Sequence, residues 1–358
     1  MTNRPRALIH LDLDAFFAAV EVLEDPALAD KPVLVGGRPE ERGVVAAASY
    51  PARAFGIRSA MPMARALALC PQAVVLPPRH RLYREYSRRV MAILHQEAPL
   101  VEQMSIDEAY LDVTDQVANW EDAVEVAQRL QDRVRAEVGL SASLGVATNK
   151  LVAKVASEQD KPGGLTVVRP GKEAAFLAPL PVRVLWGVGP VTANKLAQLG
   201  ITTVGELARW PAAELQARFG QHGGEMARRA QGIDPRPVVV EHEVKSVSQE
   251  TTFAQDLAET VALKRQLWTL SQGVSQRLQR AGLAAGTMVL KLRYADFTTL
   301  TRQTTLAVPT NDARVIDRAA LTLLERAWQP GRPVRLLGVA GRRLSLPVGQ
   351  MMLLPLEE

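Results

Sequence analysis

At 358 residues, 47% hydrophobic and 23% charged, the chain has the length for two or three cores and the balance of a soluble globular protein. A single cysteine, Cys70, excludes a disulfide framework, and no stretch is apolar for long enough to cross a bilayer. The net charge of +5 is unevenly spread: Lys245 to Ser345 holds fifteen Lys/Arg against seven Asp/Glu, and Arg169 to Asp234 eight against five, so the remainder is acidic. A basic C-terminal module on an acidic body suits a polyanion gripped by one part and processed by another, although basicity alone leaves a ribosomal or membrane-surface role open.

The N-terminus runs into a strand with no signal-like segment, so the cytosol is the expected location. From Ala7 to Asp14 apolar and polar residues alternate, with Ile9, Leu11 and Leu13 on one face and His10, Asp12 and Asp14 on the other. An insertion follows, Ala15 to about Pro78, rich in Ala, Gly and Pro. A helix is expected from about His80 to Gln96, with Leu82, Tyr86, Val90 and Ile93 at helical spacing. Val101 to Met104 and Ala109 to Val113 read as a tight hairpin with Asp107 and Glu108 at its turn. A helix from Trp120 to Val138, a strand from Ser141 to Ala147 and a helix capped by Thr148 or Asn149 come next. Lys161-Pro162-Gly163-Gly164 breaks that helix before a strand at Leu165 to Val168. Without the insertion the order is a split βαβ, β-α-β-β-α-β, expected to carry helices on one face and leave the other open.

Past Arg169, Leu185-Trp186-Gly187-Val188-Gly189-Pro190 and the apolar residues to Ile201 have the pattern of a helix-hairpin-helix. The Gly187–Gly189 turn would offer backbone N–H groups to a phosphate, and an ordinary helical hairpin is the plainer reading. A linker is expected over 235–244. A second β-α-β-β-α-β unit then follows: strand 246–253, helix 258–281, strands 287–294 and 299–308, helix 313–328 and strand 334–344. Its strands carry Arg293, Arg302, Arg335, Arg342 and Arg343, spaced to meet a phosphate backbone.

If the first strand and the hairpin are neighbours, Asp12, Asp107 and Glu108 converge. Carboxylates that close repel one another unless cations lie between them. Hard oxygen ligands with room for a phosphate suit Mg²⁺, and a pair of such ions moves nucleotidyl groups. A bare Asp-Glu pair would otherwise be a solvated turn.

Four blocks in one order then carry a resemblance: Asp12 to Glu21, Ser49 to Ile57, Ser105 to Asp112, and Gly145 through Asn149-Lys150 to Gly164. Over about residues 7–345 the chain resembles the Y-family (translesion) DNA polymerases, most closely the bacterial DNA polymerase IV branch. The resemblance implies an α+β multidomain right hand: a split-βαβ palm (1–14 and 79–168), small fingers (15–78), a helix-hairpin-helix thumb (169–234) and a βαββαβ little finger (245–345). It also implies template-directed nucleotidyl transfer from a dNTP to a primer 3′-hydroxyl, at low fidelity and processivity and without proofreading.

Carried over by residue, Asp12, Asp107 and Glu108 are the expected catalytic metal ligands, with the Leu13 carbonyl, for two Mg²⁺ ions that Mn²⁺ could replace. Tyr50, Arg53 and Lys161 would line the triphosphate, Phe17 would be the steric gate against a 2′-hydroxyl, and Phe16 would back the nucleotide pocket. Asp14 matches the pattern too and is read as structural or as a support behind the metal ligands. The small side chains of Gly43 to Ala48 would cover the nascent base pair loosely. In the tail, 346–358, Gln350, Met351, Leu353 and Leu354 resemble a peptide for the bacterial sliding clamp, with Met351 and Leu354 departing from the frequent pattern. The expected partners are primer–template DNA, dNTP and that clamp, and the expected state is a monomer. A catalytically inactive scaffold in a mutagenesis complex is the alternative, which the presence of all three carboxylates disfavours. A helix-hairpin-helix glycosylase or nuclease would need its acid or lysine beside the hairpin. A cyclase-like palm leaves the basic module unexplained.

Overall fold

A computed structural model describes residues 4–347. The chain runs β1 (Leu8–Leu13), α1 (Phe16–Glu24), β2 (Val33–Gly36), β3 (Val45–Ala48), α2 (Tyr50–Arg53), α3 (Met63–Leu69), β4 (Val74–Leu76) and α4 (His80–Glu97). It continues through β5 (Leu100–Gln103), β6 (Glu108–Asp112), α5 (Trp120–Arg133), β7 (Ala142–Ala147), α6 (Lys150–Ser157) and β8 (Leu165–Val167). Cα proximity divides it into two compact units. Among the described residues, one holds the chain up to Gly36, then 45–61 and 65–241; the other holds 37–44, 62–64 and 242–347.

The first unit is built on a five-stranded sheet of order β5-β6-β1-β7-β8. Ile9, Leu11 and Leu13 enter one core with Tyr83, Val90 and Leu94 of α4 and Ala123, Ala127 and Leu130 of α5. The helix starts follow local chemistry. Asn119 and Asp122 close a capping box on α5, and Asn149 accepts the Val152 N–H at the start of α6.

The other face of the sheet is less open than the sequence suggests. Helix α6 packs on β7 and β1, and it approaches so closely that a Cβ at Gly145 would lie 2.0 Å from the Ala153 carbonyl oxygen. His10 is therefore fully buried. Only the end of this face that carries the carboxylates is left to a substrate.

The insertion has structure that its composition does not advertise. Helix α1 joins the core through Phe16, Ala18 and Val20, and β3-β2-β4 form a three-stranded sheet. The thumb is helical: α7 (Glu173–Leu177), α8 (Pro190–Ala197), α9 (Val204–Arg209), α10 (Ala212–Phe219) and α11 (Gln221–Ala230). It shares a core with α6 through Leu151, Val155, Leu185, Leu196 and Met226.

The expected linker begins as a docked segment. Val238 is buried with Leu8 and Tyr110, the Val239 N–H donates to Glu102 at 2.8 Å, and Arg236 forks onto Asp234 at 2.7 Å. An apolar residue over an apolar patch of the sheet is the physical reason.

The second unit contains β9 (Ser246–Leu257), α12 (Thr260–Arg280), β10 (Ala284–Tyr294), β11 (Thr299–Thr310), α13 (Ala313–Ala327) and β12 (Val334–Ser345), in sheet order β11-β10-β12-β9. Met288, Leu290, Leu292, Leu337 and Val339 face the core with Leu267, Val274, Ile316 and Leu323 of the two helices. Strand alternation then sends Lys291, Arg293 and Arg342 to the opposite, helix-free face.

Candidate active site

Strand pairing brings the acidic residues together. Asp12 and Glu108 are direct cross-strand partners, and the Leu13 N–H donates to the Asp107 carbonyl at 2.9 Å. Asp12, His10, Glu108 and Tyr110 share one face because they alternate with the core residues of β1 and β6. The side chains themselves do not converge. Among the described residues, no three His, Cys, Asp or Glu groups are close enough together to hold a metal ion.

Each carboxylate has turned to its own partner. Lys161 Nζ lies 2.6 Å from Asp12 and 3.0 Å from Glu158. Lys154 Nζ lies 2.5 Å from Glu108 Oε2, with His10 Nε2 at 3.5 Å from the same oxygen. Ser105 donates to Asp107 while its oxygen accepts the N–H groups of Asp107 and Glu108 at 3.2 and 3.1 Å, which fixes the turn.

These settings separate the two paired acids. Burial pushes Asp12 up to about 6 against the pull of Lys161. The His10 ring and the Lys154 ammonium hold Glu108 down at about 2, against its partial burial.

Asp14, just past the end of β1, is held by several donors. It is buried and accepts from Ser141 and Ser143 at 2.8 Å, from the Gly163 N–H at 2.8 Å and from Tyr50 at 3.2 Å. This carboxylate thus ties β1, β7, the Lys161–Gly164 loop and α2 together beside Asp12.

A cavity of about 380 Å³ opens from the carboxylates toward the fingers, lined by Asp12, Phe17, Arg53, Asp107 and Lys161 among others. Phe16 is 2% exposed, whereas Phe17 is half-buried. Tyr83 stacks on the Phe17 ring at 4.2 Å and 13°, and the Tyr83 hydroxyl donates to Glu21 at 2.5 Å. Of the run from Gly43 to Ala48, Ala46 and Ala47 line the same cavity.

Arg53 donates to the Ala48 carbonyl at 3.0 Å, and its guanidinium lies 4.9 Å from the Tyr50 ring. Burial and the Asp14 charge push the Tyr50 phenol up to about 12, so it stays protonated and a donor.

A larger cavity, about 800 Å³, lies on the thumb side of Glu108, lined by Lys154, Trp186, Gly187 and Gly189. Gly187 adopts φ +90° and Gly189 caps α8. Sequence reading missed Lys154, Ser59, Ile106 and Tyr83. Lys154 and Lys161 lie seven residues apart, a spacing that could have flagged Lys154. Nothing local marks Ser59 or Tyr83.

The five little-finger arginines do not form one row. Arg293 and Arg342 share the helix-free face with Lys291. Arg302 pairs with Leu290 and so belongs to the opposite face, at the β11 edge. Arg335 stands 4.7 Å from the Phe297 ring, and Arg343 takes φ +51° near the end of β12. An extra residue at an irregular register shifts the alternation on which the sequence count relied. Gln350, Met351, Leu353 and Leu354 lie outside the described residues.

Comparison with known proteins finds relatives over most of the chain. Residues 11–158 match the impB/mucB/samB family, 244–353 its C-terminal domain, and 183–234 the thumb domain described for DNA polymerase-iota. The proteins named DNA polymerase IV in Dehalococcoides mccartyi strain CBDB1 and in Halorhodospira halophila are each 47% identical over 335 residues. The first alignment covers 93% of this chain and 86% of the relative, the second 94% of both. A solved Y-family chimera, Dbh-Dpo4(243-245)-Dbh, superposes with TM-score 0.86 at 28% identity, covering 95% of this chain and 99% of that one. An insertion ternary complex of Dbh DNA polymerase gives 0.68 at the same identity and coverage. Polymerases of this kind are metal-dependent nucleotidyl transferases. The chain belongs to the Y family of translesion DNA polymerases, in the branch whose bacterial members are called DNA polymerase IV.

Proposed function

We propose that the enzyme adds dNTPs to a primer 3′-hydroxyl opposite a template, at Asp12, Asp107 and Glu108, with low fidelity and processivity and without proofreading. The observation that carries this reading is the Asp12–Glu108 cross-strand pair with Asp107 at the adjoining turn, at the mouth of the cavity lined by Phe17, Arg53 and Lys161. The donor set is all carboxylate and carbonyl oxygen, which fits Mg²⁺ and tolerates Mn²⁺. Lys161 and Lys154 now supply the positive charge that such ions would replace at Asp12 and Glu108. Two ions held by Asp12, the Leu13 carbonyl, Asp107 and Glu108 would acidify the primer hydroxyl and neutralise charge on the triphosphate.

The protein's own groups do the rest. Lys161, released from Asp12, and Arg53 draw the triphosphate into the cavity, Arg53 as a fork and Lys161 as a point charge. Tyr50 donates a hydrogen bond from its protonated hydroxyl. Ala46 and Ala47 bound the base pair without a close fit, so mispairs and distorted templates meet little steric penalty. Phe16 backs the pocket and Phe17 meets the sugar.

Because Tyr83 holds the Phe17 ring face-on, that ring cannot yield to a 2′-hydroxyl. Forcing atoms into a packed site costs about 1–3 kcal/mol, so Phe17→Ala should lower dNTP-over-rNTP discrimination by roughly 5- to 150-fold. Deoxynucleotide addition should largely persist, as read by single-turnover incorporation of each sugar. Unchanged selection would remove Phe17 from this role.

The Gly187–Gly189 turn would take a backbone phosphate, and Arg293, Arg302, Arg335, Arg342 and Arg343 would contact further phosphates, with Arg293 and Arg342 acting from one face. Gln350, Met351, Leu353 and Leu354 would bind the sliding clamp, and the protein would act as a cytoplasmic monomer. The two attachments should fail separately. Arg293→Ala with Arg342→Ala should weaken DNA binding for all sequences and reduce its salt slope by up to about 2. Deleting Gln350 to Glu358 should leave both unchanged and remove stimulation by the clamp. Stimulation that survives the deletion would place the clamp contact elsewhere.

A further inference from the structure

His10 stands among the site's carboxylates without a part in the reaction as described. It is 0% exposed, tilted against Tyr110 with ring centroids 4.6 Å apart and covered by α6. Its Nδ1 lies 2.8 Å from the Ser157 hydroxyl oxygen. Its Nε2 lies 3.5 Å from Glu108 Oε2, beyond a normal hydrogen bond, and makes no hydrogen bond to any other group among the described residues.

The Ser157 hydroxyl has one proton and two acceptors at 2.8 Å, the Lys154 carbonyl and His10 Nδ1. Two arrangements follow. If Ser157 donates to Lys154, the imidazole proton sits on Nδ1, and the bare Nε2 lone pair faces a carboxylate in a buried place. That leaves a buried acceptor unsatisfied against a negative charge, which is costly. If Ser157 donates to Nδ1, the proton sits on Nε2, 3.5 Å from the Glu108 carboxylate. The carboxylate charge selects the second arrangement.

We infer that His10 is a positioning residue: it fixes the Glu108 carboxylate through Nε2–H, and Ser157 sets the tautomer that makes this possible. Lys154 grips the same oxygen, but its side chain is 37% exposed and flexible, whereas His10 is immobilised in the middle of β1. Partners of this kind orient a metal-ligating carboxylate before the metal arrives. This inference rests on the reading of Glu108 as a metal ligand.

The test is Mn²⁺ binding, followed by electron paramagnetic resonance, to the full chain on primer–template DNA. It compares wild type with His10→Leu, His10→Gln, Ser157→Ala and Glu108→Gln. His10→Leu should weaken Mn²⁺ binding by about 10- to 100-fold. His10→Gln, whose amide nitrogen can take the place of Nε2, should recover most of it. Ser157→Ala, which deletes only a hydroxyl, should move binding the same way by a smaller step. Nitrogen-15 spectra of the wild type should show His10 protonated at Nε2.

An Nδ1-protonated ring would overturn the inference. So would equal losses for His10→Leu and His10→Gln, which would mean that the ring only fills space. Weakened binding in Glu108→Gln with none in His10→Leu would overturn it while leaving Glu108 a ligand. Unchanged binding in Glu108→Gln would remove the ligand reading, and this inference with it.

Discussion

Lys150→Met is expected to cost about 3–5 kcal/mol of stability, the usual result of removing one member of a buried ion pair. Lys150 Nζ lies 2.5 Å from Glu102 Oε2, with side-chain exposures of 5% and 2%. The same ammonium sits 4.8 Å from the Tyr110 ring centroid, and the Glu102 carboxylate also accepts the Val239 N–H. One pair thus joins α6, β5, β6 and the docked segment after the thumb. Without its ammonium, the buried Glu102 carboxylate loses the cation it pairs with. Denaturant unfolding checks this: the single variant should lose several kcal/mol, and the Glu102→Gln, Lys150→Met double variant should regain much of it. A loss below about 1 kcal/mol in the single variant would show that the pair is not what joins these elements.

Asp12→Asn is expected to reduce single-nucleotide addition by about a thousandfold or more while making the metal-free protein more stable at pH 8. The loss follows from removing one anchor for charge stabilisation worth several kcal/mol in the transition state. The gain follows from linkage. Folded Asp12 keeps its proton to about pH 6, whereas a free aspartate titrates near 3.8. The folded chain therefore binds more protons across that window, and its stability falls as pH rises through it. At pH 8 the full cost, on the order of 2–3 kcal/mol, is present, and the variant's neutral amide avoids it. Unfolding midpoints in EDTA from pH 4 to 8 should favour the variant at the upper end, with the advantage fading below about pH 6. A variant less stable at pH 8 would contradict the account of burial. This trade between stability and activity is expected where a charge is placed for chemistry rather than packing.

The parts of this molecule legible in its sequence are those set by short-range pattern. Strict alternation over Ile9 to Asp14 put Asp12 on the face away from the core residues, and the β1–β6 register, which sets it opposite Glu108, completes the pairing in the fold. The paired little-finger helices and all four of its strands followed from periodicity, with ends displaced by a few residues.

Long-range packing was not legible. Nothing near Gly145 announces that α6 will lie against it, so the closed half of the sheet face, and Ser157 as the partner of His10, stayed hidden. The fingers sheet was missed because Val33 to Gly36, Val45 to Ala48 and Val74 to Leu76 are too short to show a period. The Phe17–Tyr83 stack joins residues 66 positions apart. Arginines counted along β12 changed faces at irregular registers, which no sequence count reveals. The carboxylates were expected to converge, but in the protein alone each finds a neighbouring lysine or serine, because like charges separate when cations are within reach.

The most direct test of the central claim is extension of a labelled primer on an undamaged template, with Mg²⁺ and each dNTP supplied singly, beside an Asp107→Ala, Glu108→Ala variant. Wild type should add the templated nucleotide only when metal is present, and the variant should bind the same DNA without extending it. Extension by the variant at a comparable rate would contradict the assignment of these carboxylates. A folded, DNA-binding wild type that adds nothing would instead mark the chain as a scaffold.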